Sequence, residues 1–233
     1  MMHIEHFTFN AFQERCIAVW DEEGFCAFVD PGFSEPYEKA NLLEFVQKKG
    51  LKPVCVMLTH AHIDHVYGVA ELARHYGIPV YMHPAEKYTL DVTNQFLCRN
   101  FGLPEPEAFE WKDICCKTKG SEGEDLSDCT SVIEVGSLRF EVIETPGHSV
   151  GGVCFLERNE KILFSGDTLF AGAIGRTDHP GGDYDLLMKS IFEKLMCLDG
   201  DITVIPGHGP DTSIADERMT NPFLLPFNEP YES

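Results

Sequence analysis

Apolar and polar residues alternate through Phe7-Thr8-Phe9, and denser apolar runs follow at Cys16-Ile17-Ala18-Val19-Trp20 and Cys26-Ala27-Phe28-Val29-Asp30. The turn residues Asp21-Glu22-Glu23-Gly24 lie between the two runs, so they predict a β-hairpin. Asp30-Pro31-Gly32 stops its second strand. Residues 35–49 predict a helix, with Leu42, Leu43, Phe45 and Val46 apolar and Gly50 as the stop. Val54-Cys55-Val56-Met57-Leu58 is an unbroken apolar run, as a fully buried strand requires. Residues 64–76 place Val66, Val69, Leu72 and Ala73 at helical spacing and end at Gly77. A short strand at Pro79-Val80-Tyr81-Met82 and a helix over 84–93 are predicted next.

The pattern then breaks. From about 101 to 130 the chain carries Pro104, Pro106, Cys115-Cys116 and the acidic run Ser121-Glu122-Gly123-Glu124-Asp125, which reads as a surface excursion. Strands are predicted at 132–135, 138–144, 152–156 and 161–165, a helix at 183–197, a strand at 202–205 and a terminal helix at 212–220. Strands, helices, strands, helices is an order that packs two sheets face to face with helices outside. No internal repeat or linker divides the chain, so one α/β domain over residues 1–233 is expected.

Chemistry is concentrated where the buried strand at 54–58 ends. Thr59-His60-Ala61-His62-Ile63-Asp64-His65 offers more ligand-type side chains than one ion needs. His60 and His62, two apart at a strand end, can point the same way and share one metal. Asp64 and His65 follow where the chain changes direction. Asp64 alone would read as a helix cap, but beside three histidines it reads as a ligand. His148, Asp167 and His208 each follow another predicted strand, and each is preceded by a glycine, which permits a sharp turn and a close approach. The set sorts into His60, His62 and His148 for one metal and Asp64, His65 and His208 for another. Asp167 bridges the two. Each ion then keeps an open position, as a catalytic site needs, and two close metals yield hydroxide at neutral pH. Two divalent cations are expected, with zinc first and iron or manganese open, since imidazoles suit all three. His3, His6, His75 and His83 read as surface or packing residues, and His179 has no evident ligand role.

Composition narrows the partners. The chain has 233 residues, 43% hydrophobic and 24% charged, with a formal net charge of −20. Nucleic acid and anionic membrane surfaces attract basic patches, so neither is an expected partner. Two divalent cations, two carboxylates and one hydroxide leave about +1 at the site, enough to draw an anionic small molecule. No apolar run approaches the ~18 residues of a membrane helix, and Met1-Met2-His3-Ile4-Glu5-His6 shows no secretory signal. A cytoplasmic location is expected. Nine cysteines without a CxxC pair read as reduced thiols, most of them small core residues. No ligand spacing supports a soft metal site at Cys115, Cys116 and Cys129.

His60-x-His62-x-Asp64-His65 followed by His148, Asp167 and His208 resembles the two-metal signature of the metallo-β-lactamase superfamily, in order and across residues 7 to 224. The resemblance implies a four-layer αβ/βα sandwich with metals at one edge of its two sheets. Within the superfamily, Gly166-Asp167-Thr168-Leu169-Phe170, Gly175-Arg176-Thr177-Asp178, Pro206-Gly207-His208-Gly209-Pro210 and Glu217-Arg218-x-x-Asn221-Pro222-Phe223 are similar to glyoxalase II, the hydroxyacylglutathione hydrolases, in their short bacterial form. That likeness implies hydrolysis of a glutathione thioester by a metal-bridging hydroxide, with Asp64 and Asp167 as catalytic carboxylates. Persulfide dioxygenases with one iron and acyl-homoserine lactonases share much of the motif and are the alternatives; a non-enzymatic binding module would tend to lose ligands. True β-lactamases of the main zinc class usually carry a cysteine where Asp167 stands. Thr59 and Thr168 are candidates for orienting ligands. Arg176 is placed to contact a substrate carboxylate or else to pair with Asp178 or Asp183. Tyr184 is a candidate for lining the pocket, and Arg218 for bracing the C-terminal helix.

Overall fold

The computed structural model describes residues 1–114 and 132–225. Cys115, Cys116, Cys129, the acidic run at 121–125 and the end of the apolar tail, Pro226-Phe227, lie outside the described residues. Six strands form the first sheet in the order β1-β2-β3-β4-β5-β6. They are β1 (His3–Phe9), β2 (Glu14–Trp20), β3 (Phe25–Val29), β4 (Lys52–Met57), β5 (Val80–Met82) and β6 (Lys112–Asp113). The β1-β2-β3 meander is antiparallel, and β3 through β6 run parallel. A second sheet has the order β14-β13-β10-β9-β8-β7. Its strands are β7 (Val132–Val135), β8 (Leu138–Glu144), β9 (Val153–Glu157), β10 (Ile162–Gly166), β13 (Thr203–Pro206) and β14 (Thr212–Ser213). A small hairpin, β11 (Leu169–Phe170) with β12 (Ala173–Ile174), follows β10.

Alternation along the strands builds three apolar layers. Ile17, Val19, Ala27, Val29 and Met57 face Phe140, Val142, Phe155 and Phe164 between the sheets. The opposite side chains of the first sheet, among them Ala18, Phe28 and Val56, pack on Leu42, Val46 and Leu72. Those last three lie on α1 (Pro36–Lys49) and α3 (Val69–Tyr76). The outer face of the second sheet, with Cys154, Leu156 and Leu163, packs on Leu187 and Ile214, from α5 (Tyr184–Ser190) and α6 (Ile214–Thr220). Helix, sheet, sheet, helix is the four-layer αβ/βα sandwich. Cys16, Cys26, Cys55, Cys98 and Cys154 are free and buried, as small core residues are, and Cys197 is free and exposed.

Three local elements depart from the sequence reading. The helix expected over 64–76 is two pieces, α2 (Ile63–Val66) and α3. The break falls at Gly68, whose N–H donates to the Pro31 carbonyl at 2.9 Å and on which the Phe33 ring sits too close for any Cβ. The helix expected over 84–93 is instead a 3-10 turn at Pro84–Glu86 and a π turn at Thr89–Thr93, which runs into α4 (Asn94–Phe101). Residues to Phe101 are therefore helical, and β6 adds an edge strand inside the stretch read as an excursion. At the C-terminal end Leu224 is fully buried against the second sheet's helices.

Candidate metal centre

The ligand candidates come from strand ends of both sheets. β4 ends at Met57, and Leu58 and Thr59 lead into the His60–His65 segment. His148 lies in the turn after β8, Asp167 directly after β10 and His208 two residues after β13. The two sheets are tied at this edge, where the Val153 N–H donates to the Thr59 carbonyl at 2.8 Å. Buried Glu86 adds a second tie. It accepts from the backbone N–H of Ala61 and of Gly151, each at 2.7 Å, and so clamps the His60–His62 turn to the turn that carries His148. Nothing in the sequence pattern around Glu86 marked it.

Two of the glycines before the ligands have a steric reason. At Gly207 a Cβ would stand 2.4 Å from Asp167 Oδ1 and 2.7 Å from His65 Cε1. At Gly166, with φ +49°, a Cβ would strike Thr59 Oγ1 at 2.3 Å. A side chain at Gly207 would push ligands apart, and one at Gly166 would displace Thr59.

The seven predicted side chains converge. His60, His62 and His148 offer ligand atoms within 4.8 Å of one another, and so do Asp64, His65 and His208. Asp167 stands between the groups, with Oδ1 3.4 Å from His65 Nε2 and Oδ2 3.6 Å from both His148 Nε2 and His208 Nε2. Asp64 Oδ2 lies 3.2 Å from His208 Nε2. Asp64 does not cap a helix: the cap position of α2 is His62, with no side-chain cap bond.

Ring orientation is set from behind. His148 Nδ1 donates to the Arg176 carbonyl at 2.7 Å, which turns Nε2 inward. His65 Nδ1 lies 3.1 Å from Asp30 Oδ2. Asp30 also accepts from the Thr59 N–H at 2.8 Å and the Thr59 hydroxyl at 2.5 Å, and that hydroxyl meets His60 Nδ1 at 3.1 Å. Thr59 thus takes the orienting role, whereas the Thr168 hydroxyl pairs with the Thr145 hydroxyl at 2.9 Å. With their outer nitrogens engaged, His60 Nε2 and His65 Nε2 are buried without a hydrogen-bond partner, as is Asp167 Oδ1, while His62 faces His148 Nε2 through Nδ1 at 2.8 Å. Inward lone pairs left unsatisfied in a buried nest of imidazole and carboxylate fit a cation.

Protonation states differ between the two ligand groups. Burial, reinforced by neighbouring imidazoles, pushes His60 and His62 well below the ordinary histidine range. Burial also lowers His148, against the pull of Asp167. His65 and His208 are opposed by burial too, but nearby Asp64 and Asp167 hold both above the usual value. Burial works against charge on Asp167, yet His65, His148 and His208 hold its carboxyl well below the usual range. Neutral imidazoles on one side and an ionised bridge beside them are what metal binding requires. Glu14, fully buried beside Gly32 with neither oxygen partnered, is pushed well above the carboxylate range by burial.

A cleft of about 590 Å³ opens onto the group, lined by His62, Asp64, His148, Asp167 and His208 on its floor. Arg176 reaches its rim and forms a two-bond pair with Asp178 at 2.8 and 3.1 Å. Tyr184 is not brought to the cleft. It opens α5, which docks on the His148 turn through Asp183 N–H to the Gly147 carbonyl at 2.7 Å and through Leu187 against Gly147, and this leaves Tyr184 48% exposed. His179, given no role from sequence, lines the cleft with its ring edge-on to His62 at 4.7 Å and to His148 at 5.3 Å. Arg218 braces α6 through the Met196 and Leu198 carbonyls at 2.8 and 2.9 Å.

A sandwich with this ligand edge defines the class, and the chain belongs to the metallo-beta-lactamase superfamily, whose family model matches residues 10–208. It is 36% identical to the hydroxyacylglutathione hydrolase GloC of Haemophilus influenzae over 224 residues, 96% of this chain and 98% of that one. Among solved structures it is similar to the BLEG-1 B3 metallo-beta-lactamase, with TM-score 0.82, 32% identity and coverage of 95% of this chain and 99% of that one. It is also similar to TTHA1623 in a di-iron-bound form, with TM-score 0.77, 35% identity and coverage of 94% and 100%. Among the described residues no helix is long and apolar enough to cross a membrane.

Proposed function

We propose that this chain is a binuclear metal-dependent hydrolase that cleaves thioesters of the hydroxyacylglutathione type. His60, His62 and His148 would hold one cation and Asp64, His65 and His208 the other, with Asp167 placed between the two groups. Zinc is the first choice, with iron or manganese open to the same donors; the di-iron form of TTHA1623 makes iron the competitor to test. The observation that carries the reading is the position of Asp167, one oxygen 3.4 Å from His65 and the other 3.6 Å from His148 and His208. The likeness to GloC over nearly the whole of both chains supports the thioester class. The substrate is a small molecule and the setting cytoplasmic, with residues 1–233 acting as one domain. A net charge of −20 disfavours nucleic acid and anionic membranes as partners.

When bound, the two cations supply a hydroxide at neutral pH and polarise the scissile carbonyl. The chain's own residues do the positioning. Asp64 faces the cleft and accepts a hydrogen bond from the attacking water, orienting it toward the acyl carbon. The Arg176 carbonyl, Asp30 and Thr59 hold three ligand rings in fixed orientation, so little rearrangement is needed during reaction. The buried floor of His60 and His65 keeps bulk water from the rear of the site.

The test is reconstituted protein with S-lactoylglutathione under argon. The reading expects free thiol and lactate in equal amounts without oxygen. Oxygen uptake with glutathione persulfide, dependent on iron, and no thioester cleavage with zinc, iron or manganese would overturn it.

A further inference from the structure

The cleft above the ligands has two unlike sides. Its apolar lining is Phe96, Leu97 and Phe101 from α4, then Leu103, together with Phe12. Phe12, Phe96 and Phe101 are 44%, 42% and 65% exposed, a high fraction for rings that line a concave site. The wall is anchored to the ligand floor. The Asn94 amide of α4 donates to the Ala61 carbonyl at 2.9 Å, between His60 and His62, and the Thr93 hydroxyl donates to the Pro180 carbonyl at 2.7 Å, beside His179. The other side is poor in cationic side chains. Among the described lining residues, Arg176 has the single guanidinium or ammonium group, and Asp178 already pairs with it through two bonds.

A glutathione group presents two carboxylates, and among the described lining residues no unpaired guanidinium or ammonium group meets them. Among the described residues, the surface left to grip a substituent is the wall, whose chemistry is aromatic and aliphatic. We propose that the wall of Phe96, Phe101 and Phe12 holds the substituent of the acyl group, so that the enzyme selects 2-hydroxyacyl thioesters with an aryl or alkyl substituent over the lactoyl group. This rests on the hydrolase reading above and adds to it the part of the substrate that is gripped. The cavity of about 590 Å³ has room for a phenyl or butyl group beside the reacting carbonyl. Burying such a group against exposed rings is favourable in proportion to the apolar area covered.

The experiment compares S-lactoyl-, S-2-hydroxyhexanoyl- and S-mandeloylglutathione on reconstituted protein, and in parallel titrates the free acids lactate and mandelate by calorimetry. The expected kcat/KM is on the order of 10-fold higher for the mandeloyl and hydroxyhexanoyl substrates, and mandelate binds more tightly than lactate. F96S and F101S should bring both ratios toward unity; both side chains are exposed, so the fold tolerates the change. M219S, at a more exposed apolar position outside the cleft, should keep them. Equal rates on all three thioesters, with equal binding of the two acids, would overturn the wall while leaving hydrolysis standing. No cleavage of any thioester, with mandelate still preferred in a Phe96-dependent way, would overturn the hydrolase reading and leave the wall as the recognition surface.

Discussion

Asp30 Oδ2 lies 3.1 Å from His65 Nδ1, on the side of the ring away from Asp167. This contact settles which nitrogen of His65 faces the centre, because a carboxylate accepts the Nδ1 proton and leaves the Nε2 lone pair inward. Asp30 holds a φ of +50°, a backbone region that Asp tolerates better than most residues. Asn in its place keeps the shape and the bond from the Thr59 N–H but removes the charge. D30N is expected to lower metal affinity about 10- to 100-fold, measured by competition with a chromophoric chelator, with little change in the far-ultraviolet spectrum.

Asp167 stands between the two ligand groups, with its oxygens 3.4 to 3.6 Å from histidines of both. D167N keeps its volume and removes the charge that lets two cations sit together. Thioester turnover is expected to fall by about 10²-fold or more, as when a main electrostatic stabiliser is removed, and one metal per chain should be lost on dialysis. Steady-state kinetics and elemental analysis on a single D167N preparation check both.

Asp21 joins the two sheets at a distance from the metal edge. Its carboxylate accepts from the backbone N–H of Glu23 and Phe25, each at 3.0 Å, in the β2-β3 turn, and from the Ser137 N–H at 2.8 Å in the β7-β8 turn. Burial disfavours its charge, but those bonds outweigh burial and hold its carboxyl below the usual value of 3.8. A depressed acid contributes stability that is full above its unfolded pKa and is lost as pH falls through the folded one. D21N should therefore cost about 1–3 kcal/mol at pH 7. The gap between variant and wild type should narrow as pH drops below 3.8. Urea midpoints across that range measure it.

The ligand set was legible because its spacing is dense in sequence and because strand ends deliver the rest. Two sheets with outer helices followed from the order of apolar runs. Asp30, Glu86 and His179 were not legible, since each reaches the centre only through long-range chain return: Asp30 lies 35 residues from His65 and Glu86 lies 65 from Gly151. The division of the helix at Gly68 depends on the Phe33 ring, again a tertiary contact. α4 was missed because a π turn at Thr89–Thr93 shifts the helical phase ahead of it, so the apolar positions of 84–101 keep no single period. Tyr184, a candidate for lining the pocket, is instead placed by how α5 docks on Gly147, a tertiary contact.

Metal stoichiometry bears most directly on the two-cation centre. Metal-free protein titrated with zinc and desalted, then analysed for metal and protein on the same sample, should hold two ions per chain. A firm ceiling of one ion per chain, reached with zinc, iron and manganese alike, would contradict the bridging position assigned to Asp167 and with it the binuclear mechanism.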